Sequence, residues 1–189
     1  MTHWPAVESA LSYYQVPLLQ RAIQLMKYQG YPGICVVLGQ ALAARIPNDR
    51  YDIVVPVPMH WLKRWQRGYN QTQLLAQQFP QPVWPALKKV RSTHSQAGLN
   101  RQQRQHNLTG SFQVVPWLQA ELIGKRVLLI DDVYSTGATT EACTTQLLRA
   151  GVASVQIAVV AVNVPWVGIE PTASRTATGR SIHWATRAK

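Results

Sequence analysis

The chain has 189 residues, 47% of them hydrophobic, and carries 19 Lys+Arg against 8 Asp+Glu for a formal net charge of +11. This length and apolar content suit one domain with a sizeable core and exclude a disordered polypeptide. No continuous apolar run of about 18 residues occurs, so no membrane span is expected, and two cysteines with five scattered histidines supply no zinc framework.

In chain order, Val16 to Tyr28 has the apolar spacing of a helix and ends at Gly30 to Gly33. Ile34 to Arg45 is a second helix, closed by Ile46-Pro47-Asn48. Tyr51 to Val57 is a buried strand entering the constrained turn Pro56-Val57-Pro58. Trp61 and Trp65 fall one helical turn apart and are expected to pack on the core, leaving the neighbouring cations in solvent. Asn70 to Phe79 predicts a helix with Leu74, Leu75 and Phe79 on one face, and Val83 to Val90 a strand or extended piece. Ser92 to Asn107 is too polar to bury. Val127 to Ile130 is continuously apolar, as in a parallel strand covered on both sides. Thr139 to Ala150 is a helix with Glu141 in its first turn and Gly151 past its end, and Val155 to Val162 is a further apolar strand. The alternation predicts an α/β fold, a mostly parallel sheet flanked by helices. Residues 1–50 are read as N-terminal helices contributing to a small hood, 51–165 as the core, and 166–189 as a disordered tail.

The excess of cations persists when the tail is set aside, so the charge calls for a phosphate-rich small molecule, a nucleic acid, or both. Basic residues cluster as Lys63, Arg64 and Arg67, as Lys88, Lys89 and Arg91, and as Arg101 and Arg104. The opening Met-Thr-His-Trp-Pro lacks a basic stretch followed by an apolar one, so no secretory leader is read and a cytoplasmic location is expected. There Cys35 and Cys143, both in apolar helical patterns, are expected as small core residues and not as a disulfide.

The most informative stretch runs from Arg126 to Thr140: a short strand, the acids Asp131 and Asp132, then a hydroxyl- and glycine-rich turn entering a helix. Ser135 to Thr140 offers backbone amides and hydroxyls at a helix N-terminus, which attracts anions. The two acids would repel a bare phosphate, yet they can accept hydrogen bonds from sugar hydroxyls or hold a hydrated Mg2+. A ribose 5-phosphate satisfies both halves. Helix capping alone would explain one hydroxyl, not a paired acid with several hydroxyls and a glycine. No Gly-Lys-Ser/Thr occurs, so nucleoside triphosphate hydrolysis is disfavoured.

This stretch resembles the phosphoribosyl pyrophosphate (PRPP) signature of type I phosphoribosyltransferases, with Ser135 in place of the first threonine and Thr136, Gly137 and Thr139 matching. The resemblance implies that Asp131 and Asp132 are the catalytic acids, holding the ribose hydroxyls and Mg2+ directly or through water. It also implies that Ser135, Thr136, Gly137, Ala138 and Thr139 cradle the 5′-phosphate. The second candidate segment, Asp52 to Gln71, opens a strand into a proline-stiffened turn followed by cations. Lys63, Arg64 and Arg67 there suit a pyrophosphate, and Arg67 is favoured because it precedes Gly68 at an expected helix start.

Three segments together resemble the ComF family of phosphoribosyltransferase-like proteins: Leu25 to Gly30, Pro56 to Gln71, and Ser95 to Leu99 with Arg101, Arg104 and Asn107 to Phe112. The family's N-terminal cysteine-rich zinc segment has no counterpart in this sequence. By the resemblance, Ser92 to Asn107 is the loop that covers the site, and Gln96, Arg101 and Arg104 reach the pyrophosphate or shield the reaction from water. The implied activity is transfer of the phosphoribosyl group of PRPP, with Mg2+, to a nitrogen acceptor, by default a nucleobase, with a link to competence for DNA uptake. Two rivals stay open: PRPP or nucleotide sensing without turnover, and single-stranded DNA binding through cations interleaved with Trp61, Trp65 and Tyr69. A homodimer also stays open.

Overall fold

Along the chain the computed structural model describes residues 7–90, 110–163, 173–176 and 179–182. The elements are β1 (Val7–Tyr13), α1 (Pro17–Tyr28), α2 (Pro32–Ala43), β2 (Ile53–Pro56), α3 (Trp61–Arg67) and α4 (Gln71–Ala76). They continue with β3 (Leu87–Lys89), β4 (Phe112–Val114), β5 (Arg126–Tyr134), α5 (Ala138–Arg149), β6 (Ser154–Val162), β7 (Ala173–Thr176) and β8 (Gly179–Ile182). The main sheet has the order β1-β6-β5-β2, and every pair in it is parallel. Val83 adds a parallel bridge to Val54 beside β2.

A parallel strand covered on both faces needs apolar residues at every position, and β5 shows why. Val127 and Leu129 enter one core with Cys143 and Leu147 of α5, while Leu128 and Ile130 enter the other with Ile23, Met26, Leu42 and Leu75. All four β5 side chains are fully buried, each contributing about 1.5–3 kcal/mol relative to exposure. The second core is closed by α1, which buries Leu19, Ile23 and Met26 at helical spacing from a Pro-initiated first turn. Cys35 and Cys143 are both free and buried.

Some features depart from the sequence expectations. β5 continues past Ile130, so the two acids lie within the strand and not beyond it. Trp61 and Trp65 do not pack on the core: α3 has no buried residue, and the two indoles are 66% and 81% exposed. None of the α3 side chains is buried in the core, and the Trp61 ring meets only the neighbouring His60 ring, at 5.9 Å, among the described residues. β1 joins the sheet from a segment in which no strand was expected. The expected covering loop, with Gln96, Arg101 and Arg104, lies outside the described residues, but its flanks are fixed. β3 and β4 pair antiparallel with Lys89 opposite Phe112. Within the tail, β7 and β8 form an antiparallel pair. Among the described residues no helix is long and apolar enough to cross a membrane.

Helix α2 approaches α4 so closely that a Cβ on Gly39 would lie 2.6 Å from Cγ of Gln78 and 2.8 Å from the Leu75 carbonyl oxygen. Overpacking of this kind costs about 1–3 kcal/mol, which exceeds the gain of up to about 1 kcal/mol in helix propensity. Gly39→Ala is therefore expected to lower the urea midpoint. Gly33→Ala on the same helix, with nothing within 4 Å of the added Cβ, should leave it unchanged or raise it.

Candidate functional site

The carboxyl ends of β2, β5 and β6 meet where a parallel sheet ordinarily receives its ligand. After β5, the chain turns through Ser135 and Thr136 into α5. Gly137 is the residue before the helix, with φ of +77°, a left-handed conformation that glycine adopts without strain. The Tyr134 ring leaves no room for a larger residue there, since a Cβ would lie 2.5 Å from its hydroxyl. No side chain caps the helix; the nearest contact is Thr136 Oγ1, 3.5 Å from the Ala138 amide. The first residues of α5 thus border a small, partly open cavity lined by Asp131, Tyr134 and the loop from Ser135 to Thr140. Backbone amides at a helix start, flanking hydroxyls and the positive helix end suit this space to an anion. The structure therefore brings Ser135, Thr136, Gly137, Ala138 and Thr139 together around one space.

Only one acid of the pair belongs to that space. Neighbouring residues of a strand point to opposite faces, so Asp131 stands with the loop and Asp132 with α1 and α4. Asp132 accepts Lys27 Nζ on Oδ1 at 2.7 Å and Gln71 Nε2 on Oδ2 at 2.7 Å. Arg67 Nη1 donates to Gln71 Oε1 at 2.6 Å, and its guanidinium lies 5.9 Å from the Tyr28 ring centre. The Tyr69 hydroxyl donates to the Met26 carbonyl at 2.6 Å, tying the α3–α4 corner to the end of α1. Asn70 caps α4, and Thr72 Oγ1 donates to the Val57 carbonyl at 2.6 Å, which anchors the corner to the turn after β2. Gly68, expected at a helix start, instead ends α3 with φ of +82°, so Arg67 occupies a helix C-terminus. The helix start on which a ligand role for Arg67 was expected is therefore not there, and its guanidinium instead bonds Gln71 beside the acid.

The protonation states follow from the two environments. Burial, then the Asp132 charge, pushes the Asp131 carboxyl up to about 7. Burial also opposes ionisation of Asp132, but Lys27 and Gln71 outweigh it and hold its pKa below the usual carboxylate value. Burial pulls Lys27 down, yet its bond to Asp132 leaves its pKa raised. Lys89 in β3 is lowered by burial and then by the field of Lys63. Lys63 and Arg64 themselves are exposed on α3.

Among the described residues no three His, Cys, Asp or Glu side chains could cage a metal ion. The hydrogen bonds among them engage one oxygen of Asp131, which accepts the Asp132 amide at 2.8 Å, and both oxygens of Asp132. This donor set fits an Mg2+ carried mainly by substrate oxygens and water, with Asp131 as its protein acceptor. Lys27 and Gln71, which bond Asp132, and Tyr134, which lines the cavity, were not expected at the site from the sequence, although Lys27 and Gln71 lie inside the segments carrying the resemblance.

An acid with a raised folded-state pKa favours folding while protonated. The stability Asp131 contributes is present below the ordinary value near 4 and lost as pH rises towards about 7. Asp132, with a lowered pKa, contributes stability that is lost on acidification. In buffer without divalent cations the protein should melt at a lower temperature at about pH 8 than at about pH 6, and Asp131→Asn should remove most of that difference. Parallel melting curves for the two proteins would contradict the assignment.

Comparison with known proteins agrees with this geometry. The phosphoribosyl transferase domain family matches residues 32–175. Competence protein F of Haemophilus influenzae is 35% identical over 113 residues, covering 56% of this chain and 48% of that protein. The DNA utilization protein YhgH of Escherichia coli K12 is 29% identical over 168 residues, 82% of this chain and 70% of its own length. Competence protein ComFC of Bacillus subtilis is 27% identical over 111 residues, 59% of this chain and 44% of that protein. The chain thus spans about half the length of two of these relatives. With the parallel sheet, the strand carrying the two acids and the loop cavity in place, the chain belongs to the phosphoribosyl transferase domain family, as a ComF-type member.

Proposed function

We propose that the protein binds PRPP with Mg2+ and transfers the phosphoribosyl group to a nitrogen acceptor, a nucleobase by default. The observation that carries this reading is the cavity shared by Asp131 and the loop from Ser135 to Thr140. It pairs an anion receptor with a carboxylate that can accept a sugar hydroxyl. The amides and hydroxyls of Ser135 to Thr139 hold the 5′-phosphate, and Asp131 orients the ribose. Arg67, beside the turn after β2, receives the pyrophosphate. Mg2+, when bound, neutralises charge on the departing pyrophosphate. The chain's contribution is positional and electrostatic: it fixes the sugar, stabilises growing negative charge and limits access of water. No general base is required of it. The DNA-related names of the relatives support placing this chemistry in the handling of incoming DNA.

One further observation favours a second reading. Trp61 and Trp65 stand exposed on a helix carrying Lys63 and Arg64, a combination that suits stacking on single-stranded nucleic acid. That binding would fall steeply with salt and be indifferent to Asp131.

At a ligand concentration about 100 times Kd, PRPP with Mg2+ should stabilise the fold by about 2.7 kcal/mol, a rise in Tm of about 5–10 °C. At the same ligand concentration Asp131→Asn should cut the rise to about half or less. A panel of nucleobases should then yield pyrophosphate with at least one member. A thermal shift without pyrophosphate release would identify a sensor, and no shift would refute the reading.

A further inference from the structure

Both oxygens of Asp132 are occupied, one by the Lys27 ammonium and one by the Gln71 amide, each at 2.7 Å. A sugar diol reaching this carboxylate would compete with two buried partners, and Asp132 is not among the residues that line the loop cavity. Among the described residues Asp131 has no such occupant: its contact at hydrogen-bond distance is the neighbouring backbone amide, and it lines the loop cavity. Gln71 is locked at both ends, since Oε1 accepts Arg67 while Nε2 donates to Asp132, so its amide can take only one orientation. One of the five guanidinium donors of Arg67 serves Gln71, with Tyr28 against the cation, leaving others for an anion.

We propose that the acid pair is divided in function: Asp131 meets the ribose diol, while Asp132 is a positioning residue that acts through Gln71 to set Arg67 as the pyrophosphate ligand, with Lys27 as its counter-ion. This assignment rests on the phosphoribosyl reading above and gives the two adjacent acids different roles.

Calorimetric titration with ribose 5-phosphate, with pyrophosphate and with PRPP plus Mg2+ separates the roles. Asp131→Asn should weaken ribose 5-phosphate by about tenfold or more and leave pyrophosphate near wild type. Gln71→Leu and Arg67→Gln should each weaken pyrophosphate and PRPP by about tenfold while sparing ribose 5-phosphate. The double variant should lose little more than the weaker-binding single, because the two residues act as one unit. Asp132→Asn should follow Gln71→Leu; if it fails to fold, the Gln71 and Arg67 variants decide. Should Asp132→Asn weaken ribose 5-phosphate as much as Asp131→Asn, or the Gln71 and Arg67 losses simply add, the division is wrong while the phosphoribosyl reading stands. A wild-type protein indifferent to all three probes would remove that reading and the division with it.

Discussion

Two carboxylates buried side by side at the end of the central strand constrain everything around them. Withdrawing a carboxylate from water costs several kcal/mol even after relaxation, and two adjacent ones also repel. The pleat of β5 separates them onto opposite faces, and each face meets the penalty differently. On one side Lys27 and Gln71 neutralise and solvate Asp132 within the protein. On the other, Asp131 lacks an ammonium at bonding distance among the described residues, and its pKa rises to about 7. One acid is held ionised by the fold, and the other is left for a proton or a ligand to settle.

This arrangement fixes where the helices can sit. Lys27 is in the last turn of α1, so the ammonium reaches Asp132 only if α1 ends over the carboxyl end of the sheet. Gln71 opens α4, so that helix must begin at the same place. The Tyr69–Met26 bond and the Thr72–Val57 bond join these two elements to each other and to the turn after β2. Helix α1, the corner carrying Arg67 and the central strand are therefore one polar unit. On the opposite side the loop from Ser135 to Thr140 has few such ties, and its amides stay available. Rigidity on one face and open donors on the other is what a site for a two-ended ligand needs.

Much of this was legible in the sequence. The apolar runs of β5 and β6 give their burial directly, because a parallel strand covered on both faces cannot hide polar positions. The loop was legible for a chemical reason: hydroxyls, a glycine and acids in so short a span have little structural use apart from a ligand. What escaped depended on long-range contact. The Val-Glu-Ser-Ala-Leu-Ser-Tyr segment of β1 has no strong strand pattern, and only its pairing with β6 makes it one. The opposite fates of Asp131 and Asp132 required the register of the strand and the approach of Lys27, 105 residues away in sequence. Trp61 and Trp65 were misjudged because helical spacing shows that two side chains share a face, not that the face is covered.

Charge and geometry do different work in this protein. With 19 Lys+Arg against 8 Asp+Glu, the surface field draws any polyanion, and screening confines that pull to about 8 Å at physiological salt. Such attraction cannot tell a sugar phosphate from a nucleic acid backbone. Discrimination has to come from the cavity, where Asp131 disfavours a bare phosphate placed beside it and rewards a hydroxyl donor instead. The exposed cations and indoles of α3 lie on the unselective side of this division, whereas the loop and Asp131 lie on the selective side. A ligand held by the second set should therefore bind with a weaker salt dependence than one held by the first, whatever its total charge.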